Sequence, residues 1–146
     1  MKLEIGAHTR WKIKYHCVWG TKYRHQILVE GVSHYLTEVV KEICLKYDYT
    51  FDTLGTDGDH VHLLIGNTPG EAPEVMIKII KSISGRELFK KFPSVRNLLW
   101  GSKLWAAGYY IATVGEEKSE NIIRQYVKNQ GTEEEKELVK QIKLFA

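Results

Sequence analysis

The sequence predicts an α+β domain in which an antiparallel sheet carries helices on one face. Segments with the alternating pattern of strands and segments with helical spacing follow one another in the order β-α-β-β-α-β, and two further helices come after them. The first six elements match the split βαβ arrangement of ferredoxin-like, or RRM-like, folds. The chain has 146 residues, of which 43% are hydrophobic, so we expect residues 1–146 to form one domain around one core.

Four segments have the composition and spacing of strands. Residues 11–19 alternate, with one side of the strand formed by Trp11, Ile13, Tyr15, Cys17 and Trp19, and a more polar side formed by Lys12, Lys14, His16 and Val18. Residues 49–54 and 60–65 are predicted to pair as a hairpin, because the Gly- and Asp-containing segment 55–59 supplies turn residues. Residues 108–114 form the last β-rich segment.

Helical spacing of apolar residues predicts helices over residues 32–46, over a segment running from Met76 to Leu88, and over residues 118–129. Pro93 is expected to end the second of these helices. Gly131 is suited to stop the third, and Thr132 with Glu135 forms a capping-box pattern that opens a final helix to about Leu144.

Composition excludes several classes of protein. No apolar run approaches the roughly 18 residues of a transmembrane helix, and the N-terminus lacks the apolar core of a signal peptide. The two cysteines, Cys17 and Cys44, are too few for a disulfide framework and are interpreted as packing residues. We therefore expect a soluble protein of the reducing cytoplasm with no membrane partner.

The net charge of +3 conceals an uneven distribution of charged residues. Residues 1–29 hold six basic residues and one acid, residues 75–110 hold seven and one, and residues 30–74 hold two and nine, so the three segments carry +5, +6 and −7. Both basic segments are also rich in aromatic residues, which stack on unpaired bases while cations hold the phosphates. A solvated helix face is the plainer explanation of such lysines, and many of the aromatic residues are equally suited to the core.

Two short motifs point to chemistry. His60 and His62 lie two residues apart in a predicted strand, so both imidazoles face the same way and can hold one divalent cation. Taken alone, this motif favours two hydrogen-bonded structural histidines. Tyr126 and Gln130 lie four residues apart on the predicted third helix, so a phenol and an amide share one face. Such a pair is ordinarily a half-buried aromatic residue next to an amide on the surface.

Four blocks of sequence together carry a family resemblance. They are residues 15–24 (YHCVWGTKYR), 59–65 (DHVHLLI), 101–110 (GSKLW with GYY) and 126–130 (YVKNQ). In this order and spacing the chain resembles the single-tyrosine HUH transposases of small bacterial and archaeal insertion sequences, the insertion-sequence two-hundred/six-hundred-five family. Gly58 replaces the proline that often precedes the histidine block in that family, a departure not expected to alter the chemistry.

The resemblance implies a single-stranded DNA transposase that cleaves and rejoins element ends through a 5′-phosphotyrosine. Tyr126 would be the nucleophile, His60, His62 and Gln130 would bind Mg²⁺ or Mn²⁺, and the C-terminal helices would carry the tyrosine. The implied partners are DNA hairpins at the element ends and a second copy of the chain, with Tyr126 acting in trans in the homodimer. Candidate DNA contacts in the basic segments are Lys22, Arg24, Lys78, Lys81, Arg86 and Lys103.

Two other functions remain open from sequence. One is a non-catalytic, ferredoxin-like module that binds single-stranded nucleic acid, such as a domesticated relative. The other is a phosphoesterase with two histidines as acid and base, which the single clustered pair argues against. His16 shares the polar side of its strand with Lys14 and is interpreted as a DNA contact or a group beside the metal ligands. Gly115 and residues 116–121 are a candidate hinge before the tyrosine helix.

Overall fold

The protein is built on a four-stranded antiparallel sheet. A computed structural model describes residues 4–5, 10–11, 14–114 and 117–128. The sheet has the order β4-β5-β3-β6, which is the ferredoxin-like order and confirms the predicted fold class. Its strands are β3 (Lys14–Gly20), β4 (Thr50–Thr56), β5 (His60–Gly66) and β6 (Tyr110–Val114), while β1 (Glu4–Ile5) and β2 (Arg10–Trp11) form a separate antiparallel pair.

Two long helices cover one face of the sheet. They are α1 (Glu30–Tyr47) and α2 (Pro73–Lys91), and their apolar residues pack against Cys17, Trp19, Val61, Leu63 and Ile65 of the two central strands. These strand residues alternate in sequence because successive side chains of a strand point to opposite faces. Cys17 and Cys44 are both buried as free thiols in this core, as expected.

The opposite face of the sheet contacts helix α4 (Glu117–Lys128), which carries Tyr126. Lys14, His16, His62 and Leu64 lie on this face, and all four are buried. The predicted polar side of the first strand is therefore a polar layer beneath a helix. Val127 of α4 is fully buried as well, so the helix contributes apolar packing beside this polar layer.

One predicted boundary was wrong, and one short helix was not predicted. Trp11 lies in β2 and pairs with Glu4 of β1, whereas the predicted strand over residues 11–19 included it; the sheet strand begins at Lys14. Pro93 ends α2 as predicted but also opens a short helix, α3 (Pro93–Leu98), that was not predicted. Proline suits the first turn of a helix because its missing N–H would have no partner there.

The remaining predictions agree in type with the described elements or lie outside them. The predicted helices and strands between residues 32 and 129 correspond to α1, β4, β5, α2, β6 and α4 with ends shifted by a few residues. Gly115, Gln130, Gly131 and the final predicted helix lie outside the described residues. Across the part of the chain that is described, no helix combines the length and apolar character needed to cross a membrane.

Candidate active site

His60 and His62 lie at the start of β5, two residues apart and on the same side of the strand, as predicted. Their ring centroids are 4.9 Å apart. The side chain of His60 keeps 30% of its surface exposed, while His62 is only 4% exposed beneath α4. The pair thus combines one solvent-accessible imidazole with one that is held in the protein interior.

Each of these histidines has a hydrogen-bonding side chain next to its Nδ1 atom. His60 Nδ1 lies 2.8 Å from Asp59 Oδ1, and His62 Nδ1 lies 3.1 Å from Nε2 of His16 on the neighbouring strand β3. His62 Nε2 is buried and has no hydrogen-bond partner among the described residues. An unpartnered buried nitrogen is costly in a protein interior, so its presence at this position needs a functional explanation.

Burial keeps the two interior histidines neutral. It lowers the pKa of His16 to about 4, and burial together with the neighbouring His16 and His60 lowers the pKa of His62 to about 2. A neutral imidazole has one N–H and one lone pair, and only the lone pair can bind a metal ion. At neutral pH His62 is therefore in the charge state required of a metal ligand, and His16 beside it has no charge.

Tyr126 joins the histidines within the same chain. Its ring stands edge-on to His62 with centroids 4.8 Å apart and planes at 82°, and it lies 6.0 Å from the ring of His16. The tyrosine is half-buried and is not enclosed in the packed core. The structure thus brings Tyr126 to His60 and His62, which are more than 60 positions away in sequence and were predicted to share one site with it.

A buried ion pair fastens α4 to the sheet close to this tyrosine. Arg124 donates from Nε to Asp52 Oδ1 at 2.9 Å and from an Nη atom to Oδ2 at 2.7 Å, and Lys14 Nζ lies 2.8 Å from the same Oδ2. Burial by itself would raise the pKa of Asp52, but hydrogen bonds from Arg124, Lys14 and Thr53 outweigh it and hold that pKa well below its usual value. Asp52 is therefore a firmly ionised anchor for the helix.

A cleft of about 480 Å³ opens beside these residues. It is lined by His60, His62 and Tyr126, together with Asp59, Arg24 and Tyr109. One of the six candidate DNA-binding cations, Arg24, therefore lies in the same cleft as the predicted nucleophile. A phosphate entering the cleft would meet the guanidinium of Arg24, the side chain of Asp59 and the two imidazoles.

A second and larger groove of about 840 Å³ adjoins the cleft and shares Ala107, Gly108 and Tyr109 with it. Its lining contains the other five candidate cations, namely Lys22, Lys78, Lys81, Arg86 and Lys103. Lys81 differs from the other four because its Nζ donates to the backbone carbonyls of Ala106 and Gly108, at 2.9 and 2.8 Å. The side chain of Lys81 therefore also fixes the loop between the two cavities.

The residues at the cleft fit part of a divalent-cation site. Among the described residues, no group of three or more His, Cys, Asp and Glu side chains is arranged to hold a metal ion. The imidazoles of His60 and His62 are nevertheless adjacent, and Nε2 of His62 is buried with no hydrogen-bond partner among the described residues. The third predicted ligand, Gln130, lies outside the described residues.

Comparisons with known proteins show the family of this chain. Residues 9–130 match the family described as transposase IS200 like. The chain belongs to this transposase family. It is 33% identical over 134 residues to the ISDra2 transposase TnpA of Deinococcus radiodurans, covering 92% of this chain and 95% of that one. It is 28% identical over 124 residues to the transposase for insertion sequence element IS200 of Salmonella typhimurium, covering 85% and 80%.

Two solved structures have a fold similar to that of this transposase. A structure from Deinococcus radiodurans R1 superposes with a TM-score of 0.70 at 35% identity, covering 88% of this chain and 98% of that one. A REP-associated tyrosine transposase bound to a REP hairpin superposes with a TM-score of 0.51 at 13% identity, covering 84% and 70%. The second likeness, at so low an identity, concerns the fold alone.

Sequence reasoning missed two contacts of this site. His16 was placed correctly on the side of β3 that carries Lys14, but its contact with His62 depends on the pairing of β3 with β5, which the sequence did not specify. The Asp52–Arg124 pair spans 72 positions, and no local pattern connects these two residues. Asp52 lies where the β4–β5 register shifts between Phe51 and Thr53, and alternation alone cannot locate such an irregularity.

Proposed function

We propose that this transposase cleaves and rejoins single-stranded DNA at the ends of an insertion sequence, with Tyr126 as the nucleophile. The observation that carries the proposal is the contact of Tyr126 with His62 at the wall of one cleft, next to His60 and Arg24. A phenol beside two imidazoles and a guanidinium provides an attacking oxygen and a positive charge for a phosphodiester.

In the proposed cleavage step, Oη of Tyr126 attacks the scissile phosphorus and the bond from phosphorus to the 3′ oxygen breaks. The phenol gives up its proton, and the departing 3′ oxygen takes one up to become a hydroxyl group. The 5′ phosphate remains on Tyr126 as a phosphodiester, which conserves the energy of the broken bond. A 3′ hydroxyl can later attack this linkage to join two strands, and no nucleoside triphosphate is consumed.

His60 and His62 are the proposed protein ligands of a Mg²⁺ or Mn²⁺ ion, with Gln130 as the third. A bound divalent ion would neutralise charge that develops on the phosphate. The two imidazoles supply nitrogen ligands, and the Gln130 amide would supply an oxygen ligand, a mixed set compatible with either ion. Arg24 contributes a positive charge to the same cleft without depending on the ion.

The larger groove is the proposed binding site for the DNA hairpin at each element end. Lysine and arginine side chains line it, and Phe89 and Tyr109 supply partly exposed aromatic surface. Cations attract phosphates, and exposed aromatic faces stack on unpaired bases. Because the groove adjoins the cleft, a hairpin held there can lead its single-stranded flank towards Tyr126. The REP-associated relative, whose fold is similar, was solved with a hairpin bound.

In the structure Tyr126 contacts His62 of its own chain. The proposed working form is a homodimer in which the tyrosine helices are exchanged, so that Tyr126 of one subunit completes the histidine site of the other. Only residues 115 and 116 separate β6 from α4, and Gly115 is one of them. The test is to mix a His62→Ala chain with a Tyr126→Phe chain, each inactive alone. Recovery of DNA cleavage in the mixture supports action in trans, whereas continued inactivity assigns Tyr126 to its own chain's histidines.

A covalent-adduct assay tests the enzymatic proposal. Labelled single-stranded DNA with the element's end hairpin is incubated with the protein and Mn²⁺, then separated on a denaturing gel. We expect a protein–DNA adduct with the wild type, and none with Tyr126→Phe or with chelator. Hairpin binding without any adduct would instead identify a non-catalytic single-strand binding module.

A further inference from the structure

His16 occupies an unusual place behind the candidate metal ligands. It is 5% exposed, its ring stacks on His62 with centroids 5.3 Å apart, and its Nε2 lies 3.1 Å from His62 Nδ1. The rings of Tyr110 and Tyr126 stand edge-on to it at 6.1 and 6.0 Å. A side chain enclosed in this way does not reach DNA, so one of the two roles expected from sequence is removed.

The contact between the two rings can be made in two ways. Each neutral imidazole has one N–H, so a single proton lies between His16 Nε2 and His62 Nδ1. If His16 donates it, the proton of His62 lies on Nε2, where it is buried without an acceptor among the described residues. If His62 donates it, Nε2 of His62 has a lone pair and no N–H that needs an acceptor. The proton of His16 then lies on its Nδ1, which is not among the buried side-chain atoms without a partner in the described residues.

We propose that His16 is a positioning residue that accepts the Nδ1–H of His62 and so keeps Nε2 of His62 unprotonated for a metal ion. The inference rests on the proposed function for its metal, but the tautomer itself is a property of the protein alone. The rings of Tyr110 and Tyr126 enclose His16 and hold its Nε2 against Nδ1 of His62.

The other ligand has an equivalent partner. His60 Nδ1 faces the carboxylate of Asp59 at 2.8 Å, an acceptor that fixes the proton on Nδ1 and leaves Nε2 as the lone-pair nitrogen. Both histidines thus meet an acceptor at the same ring position. The two acceptors differ in charge. Asp59 adds a negative charge beside the partly exposed His60, whereas His16 adds none beside the buried His62.

The test reads the tautomer directly in the metal-free protein. Long-range ¹H–¹⁵N spectra of ¹⁵N-histidine-labelled protein at neutral pH report which ring nitrogen has the proton, and a His62→Ala sample assigns the His62 signals. We expect the Nδ1–H tautomer for His62 in the wild type. The Nε2–H tautomer in the wild type would overturn the proposal, whatever the variants do.

Two substitutions test what His16 contributes. His16→Phe keeps a flat ring but removes the acceptor, and His16→Gln keeps an acceptor oxygen. We expect Mn²⁺ affinity, measured by EPR of the free ion, to fall roughly 10–100-fold in His16→Phe and to be largely restored in His16→Gln. His34→Phe, an exposed histidine of α1, is the matched control and should bind Mn²⁺ like the wild type.

The outcomes separate this inference from the proposed function. Unchanged Mn²⁺ affinity and an unchanged His62 tautomer in folded His16→Phe would overturn the positioning role. A wild type with His62 in the Nδ1–H form that nevertheless forms no DNA adduct would overturn the proposed chemistry and leave the assignment of His16 standing. The wild-type spectrum decides the tautomer even if His16→Phe fails to fold.

Discussion

Arg124 of α4, the helix that carries Tyr126, donates two parallel hydrogen bonds to Asp52 of the edge strand β4, from Nε to Oδ1 and from Nη to Oδ2. Such a bidentate pair fixes both distance and orientation, and here it lies two residues before Tyr126. Lys14 completes the group from the central strand β3. The position of the nucleophile is thus linked to a charged cluster that lies outside the cleft.

Replacing Asp52 with Asn should destabilise the protein and misplace Tyr126. The side chains of Asp52 and Lys14 are 9% and 8% exposed, so removing the carboxylate leaves two nearby positive charges poorly solvated. Losing one partner of a buried pair costs about 3 kcal/mol. Urea unfolding should show a lower free energy of unfolding for Asp52→Asn, and the rate at which the protein–DNA adduct forms should also fall.

The exposed pair between Glu38 and Lys41 provides the control for Asp52. Both side chains are about half exposed, so Glu38→Gln should change the free energy of unfolding by less than about 0.5 kcal/mol. Equal effects of the two substitutions would show that Asp52 does not anchor the helix.

Stability should depend on pH through the same carboxylate. The pKa of folded Asp52 is held below its unfolded value of about 4, so its contribution is fully present above that value and is lost as the pH falls towards the folded pKa. The stability difference between the wild type and Asp52→Asn should therefore be largest at neutral pH and shrink below about pH 4. Urea titrations at several pH values measure it, and a difference that stays constant down to acid would contradict the assignment.

Alanine at His60 or His62 should abolish cleavage and leave the fold intact. His60 is partly exposed and contributes little packing, whereas His62 is buried against His16 and Tyr126, so His62→Ala should lower the free energy of unfolding without unfolding the domain. Hairpin binding, measured by gel shift, should stay within a few-fold of the wild type. Unfolding of either variant in circular dichroism would instead mean that these are structural histidines.

Cations of the groove should determine hairpin affinity. Single substitutions Lys78→Ala, Arg86→Ala and Lys103→Ala should each weaken binding and reduce the slope of log affinity against log salt by about 1. Lys90 lies on the same helix as Lys78 and Arg86 but does not line the groove, so Lys90→Ala is the matched control. An equal loss with Lys90→Ala would indicate a general charge effect.

Local patterns predicted the elements and the histidine motif, and long-range pairing determined the rest. Alternation placed His60 and His62 on one face of β5, and helical spacing identified the segment that carries Tyr126. Neither pattern states that α4 lies on the side of the sheet opposite α1 and α2, which is why Lys14 and His16 are buried. The Asp52 contacts depend on a register irregularity and on α4 together, so they are visible only in three dimensions.

The most direct measurement is the identity of the residue linked to DNA. Trypsin cuts after Arg124 and Lys128 and so isolates Tyr126 as the only tyrosine of residues 125–128. After reaction with the end hairpin, Mn²⁺, nuclease and trypsin, mass spectrometry should find a 5′-phosphonucleotide on that peptide. A linkage on another of the eight tyrosines, or no linkage on a cognate end that is cut, would contradict the account.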